Sequence, residues 1–357
     1  MPMLTRLLLA LSTAQGAAGG DAPGDPRLVR ALHLDLFGRP PTRAERAECT
    51  GVETRALVNR IVGSREFWQA WFEEELYYFL LIDTFRPTAP AVVEIPDRLA
   101  DGTLTAPEAI HRILLSPNFS GRNPGADTFV TVVLEQCLGT TVQENPMLLA
   151  AGKKMYDGNA ATIFGQAGRS QADVVKIVLD QPSFQRRLAD RQWGRLFGTP
   201  LPREEGRRAE ERLRADPRAF PDLVREWVSS PAYVERLGRP RPKSPLQFVR
   251  SLYVDLLDRP PTDEEFRWTR NATRALSDPG PLRAVLARLL LASPKADVPK
   301  SSPEDASGWV RGEFLRLLAR EPAEKELRTF LAALGQGGSK PADVIEALVT
   351  HPEYGYY

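Results

Sequence analysis

Apolar positions along this chain recur in close pairs. Leu57, Val58, Ile61 and Val62 stand at i, i+1, i+4 and i+5, and the same spacing returns at Leu223, Val224, Trp227 and Val228 and at Val344, Ile345, Leu348 and Val349. Ile110, Ile113 and Leu114 follow it in part. Residues so spaced share one face of an α-helix and would fall on both faces of a strand, so each group predicts a short amphipathic helix. Each helix runs into a Ser-Pro-x-Phe/Tyr signal or a variant of it. The copies are Ser64-Arg-Glu-Phe67, Ser116-Pro-Asn-Phe119, Gln181-Pro-Ser-Phe184, Ser230-Pro-Ala-Tyr233, Ser293-Pro-Lys-Ala296 and His351-Pro-Glu-Tyr354. Serine suits an N-cap and proline the first helical position, so this "closer" predicts the start of a further helix.

A second pattern opens each unit. Leu28-Val-Arg-Ala-Leu-His-Leu-Asp-Leu-Phe-Gly-Arg-Pro-Pro-Thr42 matches Phe248-Val-Arg-Ser-Leu-Tyr-Val-Asp-Leu-Leu-Asp-Arg-Pro-Pro-Thr262. Weaker copies end at Leu138-Gly139, at Leu196-Phe-Gly-Thr-Pro200 and at Leu317-Leu-Ala-Arg-Glu-Pro322. With Leu36, Cys137, Leu196, Leu256 and Leu317 taken as equivalent, the intervals are 101, 59, 60 and 61 residues. The closer at Ser116 has no opener of its own, which accounts for the long first interval. The expected fold is therefore all-α, an array of about five helical repeats of roughly 60 residues, each about three helices. The expected boundaries are a signal peptide over 1–20, repeat unit 1 over 26–85, and a linker with an extra closer helix over 86–126. Units 2–3 follow over 127–237 and units 4–5 over 246–357.

The chemistry of the opener explains its ending. The prolines of Arg-Pro-Pro-Thr stop one helix. Thr42 and Thr262 then cap the next, with Glu45 and Glu265 three residues on completing a capping box. Thr105 with Glu108, and Ser170 with Asp173, offer further caps. Asp35 and Arg39, like Asp255 and Arg259, are four residues apart, which predicts ion pairs at the helix end. No segment reads as a convincing strand. The best candidate, residues 91–95, lies between prolines and reads as linker.

The N-terminus carries Arg6, the apolar stretch Leu7 to Leu11 and small residues to Gly20, the order of a secretory signal with cleavage between Ala14 and Gly20. That stretch is too short to span a bilayer, and no later segment is apolar enough, so no transmembrane helix is expected after signal removal. Hydrophobic residues at 42% and charged residues at 26% mark a folded chain. The net charge of +1 excludes a generally basic nucleic-acid binder. Export leaves two readings for Cys49 and Cys137: a disulfide, or buried thiols.

These residues resemble a family. The opener at 28–42, Leu57-Val58 to Phe67, and Trp68-Gln-Ala-Trp71 resemble domains of unknown function found beside c-type cytochrome domains in exported planctomycete proteins. Gln192-Trp-Gly-Arg-Leu-Phe-Gly198 with Leu223 to Tyr233 is similar to their companion C-terminal domain, and residues 249–259 are similar to bacterial surface repeats related to phycobilisome linkers. The resemblance implies export and a helical fold. This chain departs from it by lacking both the Cys-x-x-Cys-His haem motif and a histidine in the Trp68–Trp71 stretch.

Candidate chemistry is sparse. Glu73, Glu74 and Glu75 beside Trp71 and Phe72 could serve acid/base work or sugar binding. The competing reading is an amphipathic helix with Trp68, Trp71, Phe72, Leu76 and Phe79 buried and the glutamates mostly solvated. His33 is equivalent to Tyr253 and His351 to Ser230, which argues against a catalytic or ligand role; His111 lies on a closer helix, and no two histidines share metal spacing. Residues 165–168 are too sparse for a phosphate loop, and the Arg207–Arg214 stretch reads as a solvated, ion-paired helix. The expectation is an exported scaffold, periplasmic, cell-envelope or secreted, with an unidentified protein partner and no nucleic acid. No catalytic, cofactor-binding or metal-ligating residue is assigned, and no cofactor. The alternatives are an accessory subunit of a cytochrome-associated redox or degradative system, and a hydrolase using the Trp68–Glu75 region.

Overall fold

The computed structural model describes residues 24–81, 86–274, 280–336 and 338–357; the expected signal peptide lies outside them. The fold is all-α, 69% helical, with one two-stranded sheet. The described residues begin with α1 (Pro26–Phe37), α2 (Arg43–Cys49), α3 (Thr54–Ile61), α4 (Arg65–Leu80), α5 (Pro90–Val93), α6 (Ile95–Ala100), α7 (Ala106–Leu114), α8 (Pro117–Arg122), α9 (Gly125–Leu138) and α10 (Pro146–Tyr156). After β1 (Ala161–Ile163) and β2 (Gln166–Gly168) come α11 (Gln171–Leu179), α12 (Pro182–Phe197), α13 (Arg203–Ala215), α14 (Phe220–Val228) and α15 (Pro231–Arg236). The last helices are α16 (Pro245–Leu257), α17 (Asp263–Arg274), α18 (Gly280–Leu291), α19 (Ala306–Leu318), α20 (Glu324–Gln336) and α21 (Pro341–Thr350).

Two local expectations are corrected. Residues 91–95, read as linker, belong to α5 and the start of α6, because Pro90 and Pro96 occupy the first turn of each helix, where the missing amide is no loss. The hairpin was not expected at all. Phe164 and Gly165 form its two-residue tip with φ of 50° and 75°, the paired left-handed conformation that such tight hairpins need. Strands of three residues are too short to show a period-2 pattern.

The five segments aligned as openers in the sequence end in the same way. Gly38, Gly139, Gly198, Asp258 and Ala319 each follow the last helical residue with φ between 53° and 71°. The residues used to align them, Leu36, Cys137, Leu196, Leu256 and Leu317, are all at most 2% exposed. A left-handed residue at this place terminates a helix. Asp258 and Ala319 adopt it despite a Cβ, at a cost of roughly 1–2 kcal/mol each.

Beyond three of these ends the chain forms the same clamp. Arg39 donates both terminal nitrogens to Glu45 at 2.7 Å, Arg259 does so to Glu265 at 2.8 and 2.7 Å, and Arg320 to Glu326 at 2.8 and 2.9 Å. The same glutamate accepts the backbone amide of Thr42, Thr262 or Ala323 at 2.7 Å, which makes it the capping residue of α2, α17 or α20. The expected Asp35–Arg39 and Asp255–Arg259 pairs do not form. Each helix stops at Phe37 or Leu257, so the arginine lies past the left-handed turn, where four-residue helical spacing no longer applies. The predicted caps of α2, α7, α11 and α17 are present.

The chain divides into two compact units. One takes the residues up to Leu57 together with Ser230–Tyr357. Its core gathers Phe248, Leu252 and Leu256 of α16 with Phe314 and Leu317 of α19, Phe330 of α20, Ile345 and Leu348 of α21, and Tyr354. The other unit is the continuous segment Val58–Ser229. There α4 packs on α6, α9 on α10, and α12 on α13, and Trp68 and Trp71 both meet Phe220 at 6.0 and 5.8 Å.

Candidate functional site

In the unit that includes α1 and the C-terminal helices, α1 and α16 carry the two opener aspartates. The side chain of Asp35 is fully buried and accepts from Tyr233 Oη, Arg236 Nη2 and Tyr357 Oη, each at 2.6 Å, and from Arg241 Nη1 at 3.2 Å. Asp255, equally buried, accepts from Arg30 Nη1 and Nη2 at 3.0 and 2.7 Å and from Tyr354 Oη at 2.8 Å. Burial pushes the Asp255 carboxyl up, but the Arg30 guanidinium outweighs it and holds the group below the usual range. One design thus serves both openers: an aspartate on the opener, an arginine, and the hydroxyl of a closer tyrosine. Aspartate occurs at this register only at 35 and 255, and tyrosine in a closer only at 233 and 354. That coincidence was the signal available in the sequence for a pairing it otherwise concealed.

Lys243 lies against the Asp255 group. It is 8% exposed, donates to the Tyr354 carbonyl, and holds its nitrogen 3.8 Å from the centre of the Tyr354 ring. Burial, reinforced by Arg30, drives its pKa well below the ordinary lysine value.

On the surface of the same unit, a cleft of about 110 Å³ opens between α1, α2 and α19. Pro26, Arg30, Pro41, Arg46, Thr50 and Arg316 line it. Arg30 is committed to Asp255, and Arg316 donates to Glu313 and to the Asp255 carbonyl. Arg46 differs: its Nη1 donates to the Pro41 carbonyl at 2.7 Å, and among the described residues it has no carboxylate within ion-pair distance.

The acidic-aromatic segment of α4 lies in the other unit. Trp68, Trp71, Phe72, Leu76 and Phe79 are at most 4% exposed, so the stripe is packed core. Glu73 bonds Gln69 and faces Arg86 near the surface, and Glu74 is exposed. Glu75 corrects the expectation of solvated glutamates. It is fully buried, with Arg191 Nη2 at 2.8 Å on one oxygen and Arg195 Nη2 at 2.7 Å on the other. Burial raises its pKa, yet the two arginines more than offset that and leave it lowered. The three glutamates do not converge on a common cleft: one is buried, one half-buried and one in solvent. Helical periodicity sends successive residues to different faces, and the arginines that hold Glu75 lie 116 and 120 residues away, where local pattern carries no information.

The histidines are dispersed. His33 is buried, with Nδ1 2.8 Å from the Val29 carbonyl oxygen and its ring edge-on to Phe37. His351 Nδ1 accepts the Glu353 amide at 3.3 Å and so performs the capping role of the serine it replaces. Burial lowers the pKa of both His111 and His351. Cys49 and Cys137 are buried and do not form a disulfide. Burial pushes the Cys137 thiol up to about 12, the state of an inert core thiol. Among the described residues, no cluster of His, Cys, Asp and Glu is arranged to hold a metal ion, and no helix is long and apolar enough to cross a membrane.

No family model, no curated protein and no solved structure matches this chain.

Proposed function

We propose that this chain is an exported helical scaffold of the periplasm or cell envelope that works by binding a protein partner. The reading is carried by one observation: the carboxylate best placed for chemistry by its aromatic surroundings, Glu75, is a structural ion-pair centre inside a packed stripe. A general acid or nucleophile must reach substrate, and a general acid must also have a pKa near the working pH. Glu75 is sealed from solvent and pushed the wrong way by Arg191 and Arg195. The side chains of Asp35 and Asp255 are sealed from solvent and saturated by arginine and tyrosine donors, although burial raises the pKa of Asp35. The same argument removes Glu75 from the hydrolase alternative, and Glu73 and Glu74 do not converge with it on a common cleft. Export rests on the Arg6 to Gly20 pattern, and an accessory role beside a cytochrome rests on the sequence resemblance.

The test is affinity capture of the tagged mature chain from the envelope fraction of its own host. The expected result is a protein partner retained in stoichiometric amount, by a chain whose N-terminus begins between residues 15 and 21. A chain found mostly in the cytoplasm with Met1 intact, or a chain that retains nothing above a denatured control, overturns the reading.

A further inference from the structure

The charge around the cleft between α1, α2 and α19 does not balance. Three guanidinium groups line it, those of Arg30, Arg46 and Arg316. Two carboxylates answer them directly, Asp255 on Arg30 and Glu313 on Arg316. Three positive charges against two negative ones leave one positive charge over. The next carboxylate, Asp258, accepts the Arg43 amide at 2.6 Å at the N-terminus of α2; it attracts Arg46 from a distance but forms no ion pair with it. The excess falls on Arg46. One of its terminal nitrogens is fixed by the Pro41 carbonyl, which sets the plane of the group. Its Nε and remaining Nη have no acceptor among the described residues. Those two positions are the side of the guanidinium fork that pairs with two oxygens of one oxyanion.

We propose that this cleft binds a single oxyanion group, a carboxylate or a phosphate, with Arg46 as the fork that holds it and Arg30 and Arg316 supplying field. The volume of about 110 Å³ suits such a group with little accompanying water. Burial lowers the Arg46 pKa first and repulsion from Arg316 and Arg30 adds to it, while Asp255 and Asp258 oppose the shift without cancelling it. An anion on the fork offsets that remaining cost. The anion can be a free small molecule or an acidic group presented by a larger partner. The inference does not rest on the scaffold reading, since it is tested on the isolated protein.

The test uses the full chain in titrations with sodium phosphate and sodium acetate, each against sodium chloride at equal ionic strength. Thermal melts and isothermal titration calorimetry are the readouts. A bound anion raises the melting temperature saturably, and chloride does not match it. Binding to Arg46→Gln is expected to be weaker by about tenfold or more, the loss of a charge-assisted contact. Arg46→Lys keeps the charge but not the fork, so it falls between the two; it also serves if Arg46→Gln does not fold. Preference for phosphate over acetate identifies a phosphate ligand, preference for acetate identifies a carboxylate, and comparable saturable binding of both supports a site for either oxyanion. Anion effects that equal those of chloride, or that are the same in wild type and in both Arg46 variants, overturn the proposal.

Discussion

Lys243 shows how far a single residue's behaviour is set by neighbours remote in sequence. It stands in a Pro-rich connection, yet Tyr354, 111 residues on, supplies its carbonyl acceptor and its aromatic wall. Nothing in the local sequence announces this, whereas the equivalence of His351 with Ser230 at least placed it at a cap position, where it accepts the Glu353 amide. The lysine carries a testable pH dependence. In the unfolded chain its ammonium titrates near 10.4. In the folded chain burial and Arg30 depress it, with Asp255 opposing and Arg283 adding to the depression. Below that unfolded value the unfolded state therefore binds a proton that the folded state resists, and falling pH favours unfolding. Lys243→Met removes this linkage. Its stability relative to wild type should rise as pH falls from about 10 to 7, by at most about 1.4 kcal/mol per pH unit. Urea denaturation across that range measures it, and a difference independent of pH would mean that Lys243 titrates normally.

At the scale of elements, the arginine–glutamate clamp explains what the repeated turn is for. The sequence displayed the capping box, because Thr42-x-x-Glu45 and Thr262-x-x-Glu265 are local. It misassigned the arginine, because a helix end displaced by two residues turns an expected four-residue pair with aspartate into a six-residue pair with glutamate. The third copy shows which part is indispensable: Ala323 replaces the threonine, and Arg320 with Glu326 remains. Thr262→Ala should cost about 1 kcal/mol, the ordinary loss of an N-cap, and no shift in denaturation midpoint would remove its capping role. The clamp also predicts acid sensitivity. For Glu45, burial raises the pKa but Arg39 and the Thr42 amide prevail, giving about 2. For Glu265, the Arg259 hydrogen bond leads, and the value is again about 2. Carboxylates with depressed folded values stabilise fully above their unfolded pKa, near 4.3, and that stability disappears as pH falls toward 2. Glu265→Gln should flatten part of this acid limb; an unchanged limb would show that the Arg259–Glu265 clamp is not a source of it.

At the scale of the molecule, the all-α class was readable because helical periodicity and capping are local properties repeated many times over. The grouping of the N-terminal helices with the last third of the chain was not. It depends on contacts such as Arg30 with Asp255, 225 residues apart, and Asp35 with Tyr357, 322 apart. The charged centres of both units belong to this class, and they carry the functional argument. If Glu75 is a structural pillar, Glu75→Gln leaves the buried Arg191 and the half-buried Arg195 facing an amide, a loss of up to roughly 3–5 kcal/mol. The decisive measurement combines denaturation of wild type and Glu75→Gln with partner capture by each at a temperature where both are folded. The account predicts a marked loss of stability and undiminished, stoichiometric capture. A variant as stable as wild type that no longer captures its partner would contradict it, and would make Glu75 part of a working site.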